Sequence, residues 1–213
     1  MFLSRIELCT YKPNTRRAMA SPQVLHAAIE GCFVTMPGVE KGRKLWRIDS
    51  LNQRLYLLLL SPACPDFTEF AAQFCTQGTN GETKDYNILL NRIKTGQNFR
   101  FRFRGNPVRS VSTEEGKRGK VYAHVTVTQK REWLIKKAGS CGFLLQDDSF
   151  DLVETGQHKF WRDSKKQPVE LAFSVFEGML TVTDAALFTQ ALTQGIGRGK
   201  AYGCGLLTVM SVV

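Results

Sequence analysis

Apolar and polar positions alternate, in part, from the first residues: Phe2, Leu3, Ile6 and Leu8 form a short strand-like run. Successive side chains leave a strand on opposite faces, so this period predicts one covered face. At Ser21 the period changes. "SPQVLHAAIEGCF" places Val24, Leu25, Ala28, Ile29 and Cys32 on one helical stripe, with Ser21 at the N-cap and Pro22 at the first helical position. Strands are predicted over 44–50 and 54–60 around a turn at 51–53, the second containing "LYLLLL", a run of buried-strand length. A helix over 66–75 follows, then a loop and a short helical turn within 77–94. In "NFRFRFRG", Phe99, Phe101 and Phe103 alternate with Arg100, Arg102 and Arg104, so a strand here buries a Phe face and exposes an Arg face. The order strand, helix, strand, strand, helix, strand predicts a ferredoxin-like unit.

The second half repeats that order without sequence self-similarity. A strand over 121–128 precedes a helix over 130–138 with Trp133 and Leu134 on its apolar side. Short strands near 143–145 and 151–154 lead to a long one over 170–182, or to two with a bend at Gly178. Asp184 caps a helix carrying Leu187, Phe188, Ala191 and Leu192, and 206–212 forms the last strand. "GNPVRSVSTEEGKRGK" between the halves is rich in Gly, Pro, Ser and charge, as a linker with a basic loop would be. The expected class is α+β: two tandem ferredoxin-like βαββαβ domains, 1–108 and 109–213.

Composition narrows the function. With 213 residues and 43% hydrophobic content, the chain can bury a core. No run approaches the ~20 apolar residues of a membrane span, and Arg5 and Glu7 interrupt any signal-peptide pattern, so a cytoplasmic protein is predicted. Six cysteines are scattered with no C-x-x-C pair, and the three histidines stand apart from carboxylate clusters. No metal or other cofactor is expected. A net charge of +10 favours a polyanionic partner, provided the cations are grouped.

The strongest grouping is "QGIGRGKAYGCG", Gln194–Gly205, between the last helix and the last strand. It matches neither G-x-x-x-x-G-K-[ST] nor G-x-G-x-x-G and lacks the strand-before, helix-after context of both. A tight turn needs two or three glycines. Five, with Arg198, Lys200 and Tyr202 among them, suggest backbone amides open to an anion, with Gly195, Gly197 and Gly199 nearest the cations. A second grouping is the ladder Arg100, Arg102 and Arg104, with Arg109 beyond: like charges on one strand face repel unless neutralised. Lys117, Arg118, Lys120, Lys159, Arg162, Lys165 and Lys166 add to the same surface or are simply solvated. His26 flanks the apolar helix stripe, where a lone histidine is usually structural. His124 and His158 read as non-catalytic, and neither Asp147–Asp148 nor Glu114–Glu115 resembles a two-metal cage.

Longer motifs carry a resemblance. "FEGMLTVTDAALFTQALTQGIGRGKAYGCGLLTV" resembles the C-terminal signature of CasE-type CRISPR-associated endoribonucleases, and "FRFRFRGNPVRSV" resembles that family's central strand and Asn-Pro step. "LHAAI" falls where the family places its catalytic histidine. The resemblance covers essentially the whole chain. It implies metal-independent cleavage of precursor CRISPR RNA at the base of each repeat hairpin, with His26 catalytic, a 2′,3′-cyclic phosphate and a 5′-OH as products, and the Cascade complex as a partner of a chain that is monomeric when free. One departure stands out: well-known members carry a tyrosine one helical turn before the histidine, where this chain has Gln23. The alternative is a non-catalytic RNA-binding subunit of a CRISPR effector complex. A nucleotide-dependent metabolic enzyme would place its phosphate loop early in the chain, which this sequence does not.

Overall fold

The computed structural model describes residues 1–33, 42–111, 119–161 and 168–212. The first apolar alternation forms β1 (Phe2–Leu8), followed by α1 (Pro13–Ala20), α2 (Pro22–Gly31), β2 (Leu45–Leu51), β3 (Arg54–Ser61), α3 (Thr68–Phe74), β4 (Glu82–Asp85) and α4 (Asn87–Leu90). The four strands pair antiparallel in the order β2-β3-β1-β4. Leu25 and Ile29 of α2 and Phe70 and Phe74 of α3 pack on Ile6, Leu8, Leu57 and Leu59. The "LYLLLL" run is apolar on both sides because both are covered: Leu57 and Leu59 meet the helices, whereas Leu58 and Leu60 meet the second half of the chain. Two elements carry no pattern in the sequence. α1 buries only Thr15 and Ala18, and β4 is fully exposed, held to β1 by backbone pairing.

The second half contains β5 (Asn98–Gly105), β6 (Val108–Val111), β7 (Lys120–Ala123), α5 (Val127–Ser140), β8 (Phe143–Leu144), β9 (Phe150–Phe160), β10 (Val169–Val182), α6 (Ala185–Gln194) and β11 (Leu207–Ser211). Its sheet runs β11-β5-β10-β8, with β9 also paired to β10. Both sheets therefore have a ferredoxin-like strand order, as expected. No described helix is long and apolar enough to cross a membrane.

The assignment of strands to units needs correction. The Phe/Arg strand does not close the first sheet; it is β5, between β10 and β11. Its Phe face requires aromatic cover that α5 and α6 supply: Phe103 lies 6.3 Å from Trp133 and Phe99 lies 6.2 Å from Phe188. The position in the first sheet is taken by β4. By sheet membership the chain divides before β5 rather than after residue 108. The strand expected over 121–128 is likewise absent from the main sheet: β7 pairs with β6 alone, Val121 and Tyr122 are exposed, and residue 127 already begins α5.

One buried cation joins the two sheets. Arg47 of β2 is 1% exposed. It donates from Nε and Nη2 to the Asp49 carboxylate (2.7 Å each), from Nη1 to the carbonyls of Arg102 (2.9 Å) and Leu206 (3.0 Å), and from Nη2 to Thr208 Oγ1 (2.9 Å). The carbonyl and hydroxyl acceptors all lie in the second half of the chain.

Candidate functional site

His26 sits half-buried on α2, and the glycine loop follows α6; the fold brings them together. The His26 imidazole meets the Tyr202 ring edge-on, with centroids 6.4 Å apart. Tyr202 meets Phe160, at the end of β9, in the same way at 4.9 Å. Three rings from three elements thus form one row. Residues 26 and 202 lie at opposite ends of the sequence, and helical periodicity alone carries no sign of their contact. Gln23, one turn earlier on α2, lines a neighbouring groove.

The glycines of the loop have a backbone explanation. All five have φ between 75° and 94°, a region that costs other residues about 1–2 kcal/mol. Gly203 also lies flat on β2, where an added Cβ would stand 2.8 Å from the Trp46 ring. The number of glycines is therefore accounted for by the turn and, at Gly195 and Gly203, by close packing on β2. Gly203→Ala is expected to destabilise the protein by at least the ~1–2 kcal/mol of the backbone cost; urea denaturation would measure it. What the loop does offer is narrower. Ile196 and Gly205 use their N–H groups internally, on Gly205 O (3.0 Å) and Arg104 O (2.7 Å). No described residue accepts from the amides of Gly197, Arg198 or Gly199. Arg198 is exposed. Lys200 instead folds back onto Gly197 O (2.8 Å), and burial, then Arg43, lowers its pKa.

The arginine ladder is resolved by partners the sequence pattern does not reveal. Arg102 donates to Asp49 Oδ1 across the sheets (3.0 Å) and pairs with Glu177 on the neighbouring strand. Arg104 lies over the Phe173 ring (3.7 Å) and donates to His158 Nε2 (2.9 Å), which fixes that imidazole in its neutral form; burial, then Arg104, lowers the His158 pKa. Arg100 alone of the three is exposed, beside a groove of about 540 Å³ that also holds Asp151 and Glu177. The expected uniform basic face is therefore a mixed one. Arg109 is exposed on β6. Lys159 is exposed on β9 and pairs with Glu170 at 3.0 Å. Asn106 of the Asn-Pro step is buried and donates to Ala172 O, tying β5 to β10. Lys117, Arg118, Arg162, Lys165, Lys166, Glu114 and Glu115 lie outside the described residues. Among the described residues, no three His, Cys, Asp or Glu side chains converge as metal ligands.

Known proteins share this arrangement of elements. The profile of a family described as CRISPR associated protein matches residues 1–210. A Thermus thermophilus protein named CRISPR-associated endoribonuclease Cse3 is 28% identical over 221 aligned positions, covering 98% of this chain and 99% of the relative. An Escherichia coli protein named CRISPR system Cascade subunit CasE is 29% identical over 125 positions, 55% of this chain and 60% of the relative. Among solved structures, Cse3 bound to a 19-nucleotide RNA superposes with a TM-score of 0.82 at 24% identity, over 99% of this chain and 100% of the other. Cas6e from E. coli gives 0.64 at 20% identity, with both chains fully covered.

Proposed function

Because the chain belongs to the CRISPR-associated protein family, in its Cse3/CasE endoribonuclease branch, we propose that it cuts precursor CRISPR RNA at the base of each repeat hairpin. The observation that carries this reading is the edge-on contact of His26 with Tyr202, which sets an imidazole beside a loop whose Gly197, Arg198 and Gly199 amides have no acceptor among the described residues and whose Arg198 is exposed. A neutral imidazole has one ring nitrogen that accepts a proton and one that carries one, so it can take or give a proton. The 2′-oxygen at the cut attacks its own phosphorus, and the bond from phosphorus to the 5′-oxygen breaks. The 2′-hydroxyl loses its proton and the departing 5′-oxygen gains one; His26 performs one of these transfers. Products are a 2′,3′-cyclic phosphate and a 5′-OH. The amides of Gly197, Arg198 and Gly199 and the Arg198 guanidinium stabilise the added charge on the phosphorane.

An RNA stem suits this surface. A-form RNA is read by shape and phosphate position rather than by its deep major groove, and Arg100, Arg109, Lys159 and Arg198 are exposed cations on different elements. The E. coli relative is named as a Cascade subunit, and the same kind of assembly is the expected partner here.

Cleavage of the cognate repeat hairpin in EDTA tests the reading, with a single 2′-deoxy substitution at the cut as control. Cutting of the all-ribose substrate to a cyclic phosphate, and none of the deoxy substrate, supports it. Binding without cutting of the all-ribose substrate makes the protein an RNA-holding subunit instead. The ring contact has its own test. An edge-on aromatic pair contributes about 0.5–1.5 kcal/mol, so Tyr202→Leu is expected to slow single-turnover cleavage roughly two- to tenfold, with Tyr202→Phe retaining most of the rate.

A further inference from the structure

Gln23 and Ala27, which flank His26 on α2, line a groove of about 570 Å³ between α1, α2 and α3. That volume is in the range of small-ligand sites, ~300–1,000 Å³. Its apolar lining includes Val24 and Phe70, and its polar side chains are Arg17, Ser21, Gln23, Glu69 and Gln73. Trp161, immediately after β9, closes one side. The indole is 64% exposed, whereas Trp46 and Trp133 are 3% and 9% exposed. Its place relative to the row of rings is set by its neighbour Phe160, which is 3% exposed and packed on Tyr202.

The chemistry of the walls selects the ligand. Among the described lining residues, one arginine and one glutamate bring no net charge to attract a phosphate. Two glutamine amides each offer a donor and an acceptor, which matches the edge of a nucleobase. An exposed indole offers a stacking face, and every base has a π-face to lay on it. We infer that this groove receives an unpaired nucleobase of the RNA substrate, stacked on Trp161 and directly adjoining the cut. The inference rests on the function proposed above. For a cut at the base of a hairpin, the nucleotide before the cut is paired in the stem. The unpaired neighbour is then the nucleotide that follows it, on the departing strand. Gln23 thereby has a role at the position where related enzymes carry a tyrosine: it lies one turn from His26 and contacts the base rather than moving a proton.

The test compares two RNAs, each a repeat hairpin with a 2′-deoxy at the last stem nucleotide so that neither can be cut. One ends there; the other continues by a single unpaired nucleotide. Stacking contributes about 1–3 kcal/mol per base, roughly a five- to 150-fold change in Kd. The longer RNA is therefore expected to bind the wild-type protein more tightly by that factor, and to shield Trp161 from acrylamide quenching. An abasic final nucleotide removes the gain. Trp161→Ala removes it too, leaving the shorter RNA bound as before, whereas Trp161→Phe keeps part of it. Equal affinity of the wild type for both RNAs overturns the inference and leaves the nuclease reading standing. So does an equal loss for both RNAs in Trp161→Ala. Failure of the shorter hairpin to bind at all overturns both.

Discussion

Replacing His26 with alanine is expected to slow cleavage of the repeat hairpin by about 10²–10⁴-fold, the usual contribution of one positioned acid–base group. The imidazole is half-buried and its described neighbour is the Tyr202 ring, not a hydrogen-bonding partner on which folding depends. Hairpin affinity and thermal stability should therefore be nearly unchanged. Single-turnover cleavage, with filter binding and a thermal melt of the same preparation, separates these quantities. A variant that cuts at the wild-type rate would return His26 to the structural role that a lone helical histidine usually has. A variant that loses binding in parallel would make it a contact residue.

The second large effect concerns stability. Arg47→Ala removes a guanidinium that is 1% exposed and leaves Asp49 facing Arg102 alone; the carbonyl of Leu206 loses that donor, and the carbonyl of Arg102 keeps only the Thr208 hydroxyl among its side-chain donors. Breaking a buried pair by removing one partner costs about 3–5 kcal/mol. For a chain of this size each kcal/mol moves Tm by about 2–4 °C, so a fall on the order of 10 °C is expected in a thermal melt. Arg47→Lys should rescue little, because one ammonium cannot reproduce donation from three guanidinium nitrogens along separate directions. Because the carbonyl and hydroxyl acceptors lie in β5, in β11 and in Leu206 just before it, the loss should also appear as faster amide exchange across β5 and β11. A shift of only 1 or 2 °C would mean that the apolar contact between the sheets, through Leu45, Leu60 and Phe103, suffices to hold them.

The sequence revealed periodic elements far better than their pairing. α2, β3, β5 and β10 have apolar patterns because each buries a defined face, and all four are legible. α1 and β4 are not, since they rest on backbone pairing and on a few small contacts such as Thr15 Oγ1 with Phe74 O. Alternation says that β5 has two unlike faces but not which sheet it enters. Assigning it to the first unit put the division of the chain too late. The arginine ladder reads as unpaired charge only while Asp49 and Glu177 are distant in sequence; in the fold both are adjacent to Arg102. The glycine loop stands out by its composition and His26 by the resemblance, but their contact through Tyr202 is a product of tertiary structure alone. Trp161 carries no signal in the sequence, because one exposed indole in a charged stretch has no period.

The place of β5 bears on how the protein is made. The first sheet has all four strands once residue 85 has been synthesised. β5 comes next, with three phenylalanines on one side, yet its partners are residues 174–181 and 207–211. At ~5–20 residues per second, β5 emerges several seconds before the second of these partners exists. During that interval both of its edges can pair with another chain. Arg100, Arg102 and Arg104 would then work against self-association: in a nascent chain they keep copies of this strand apart until β10 and β11 arrive.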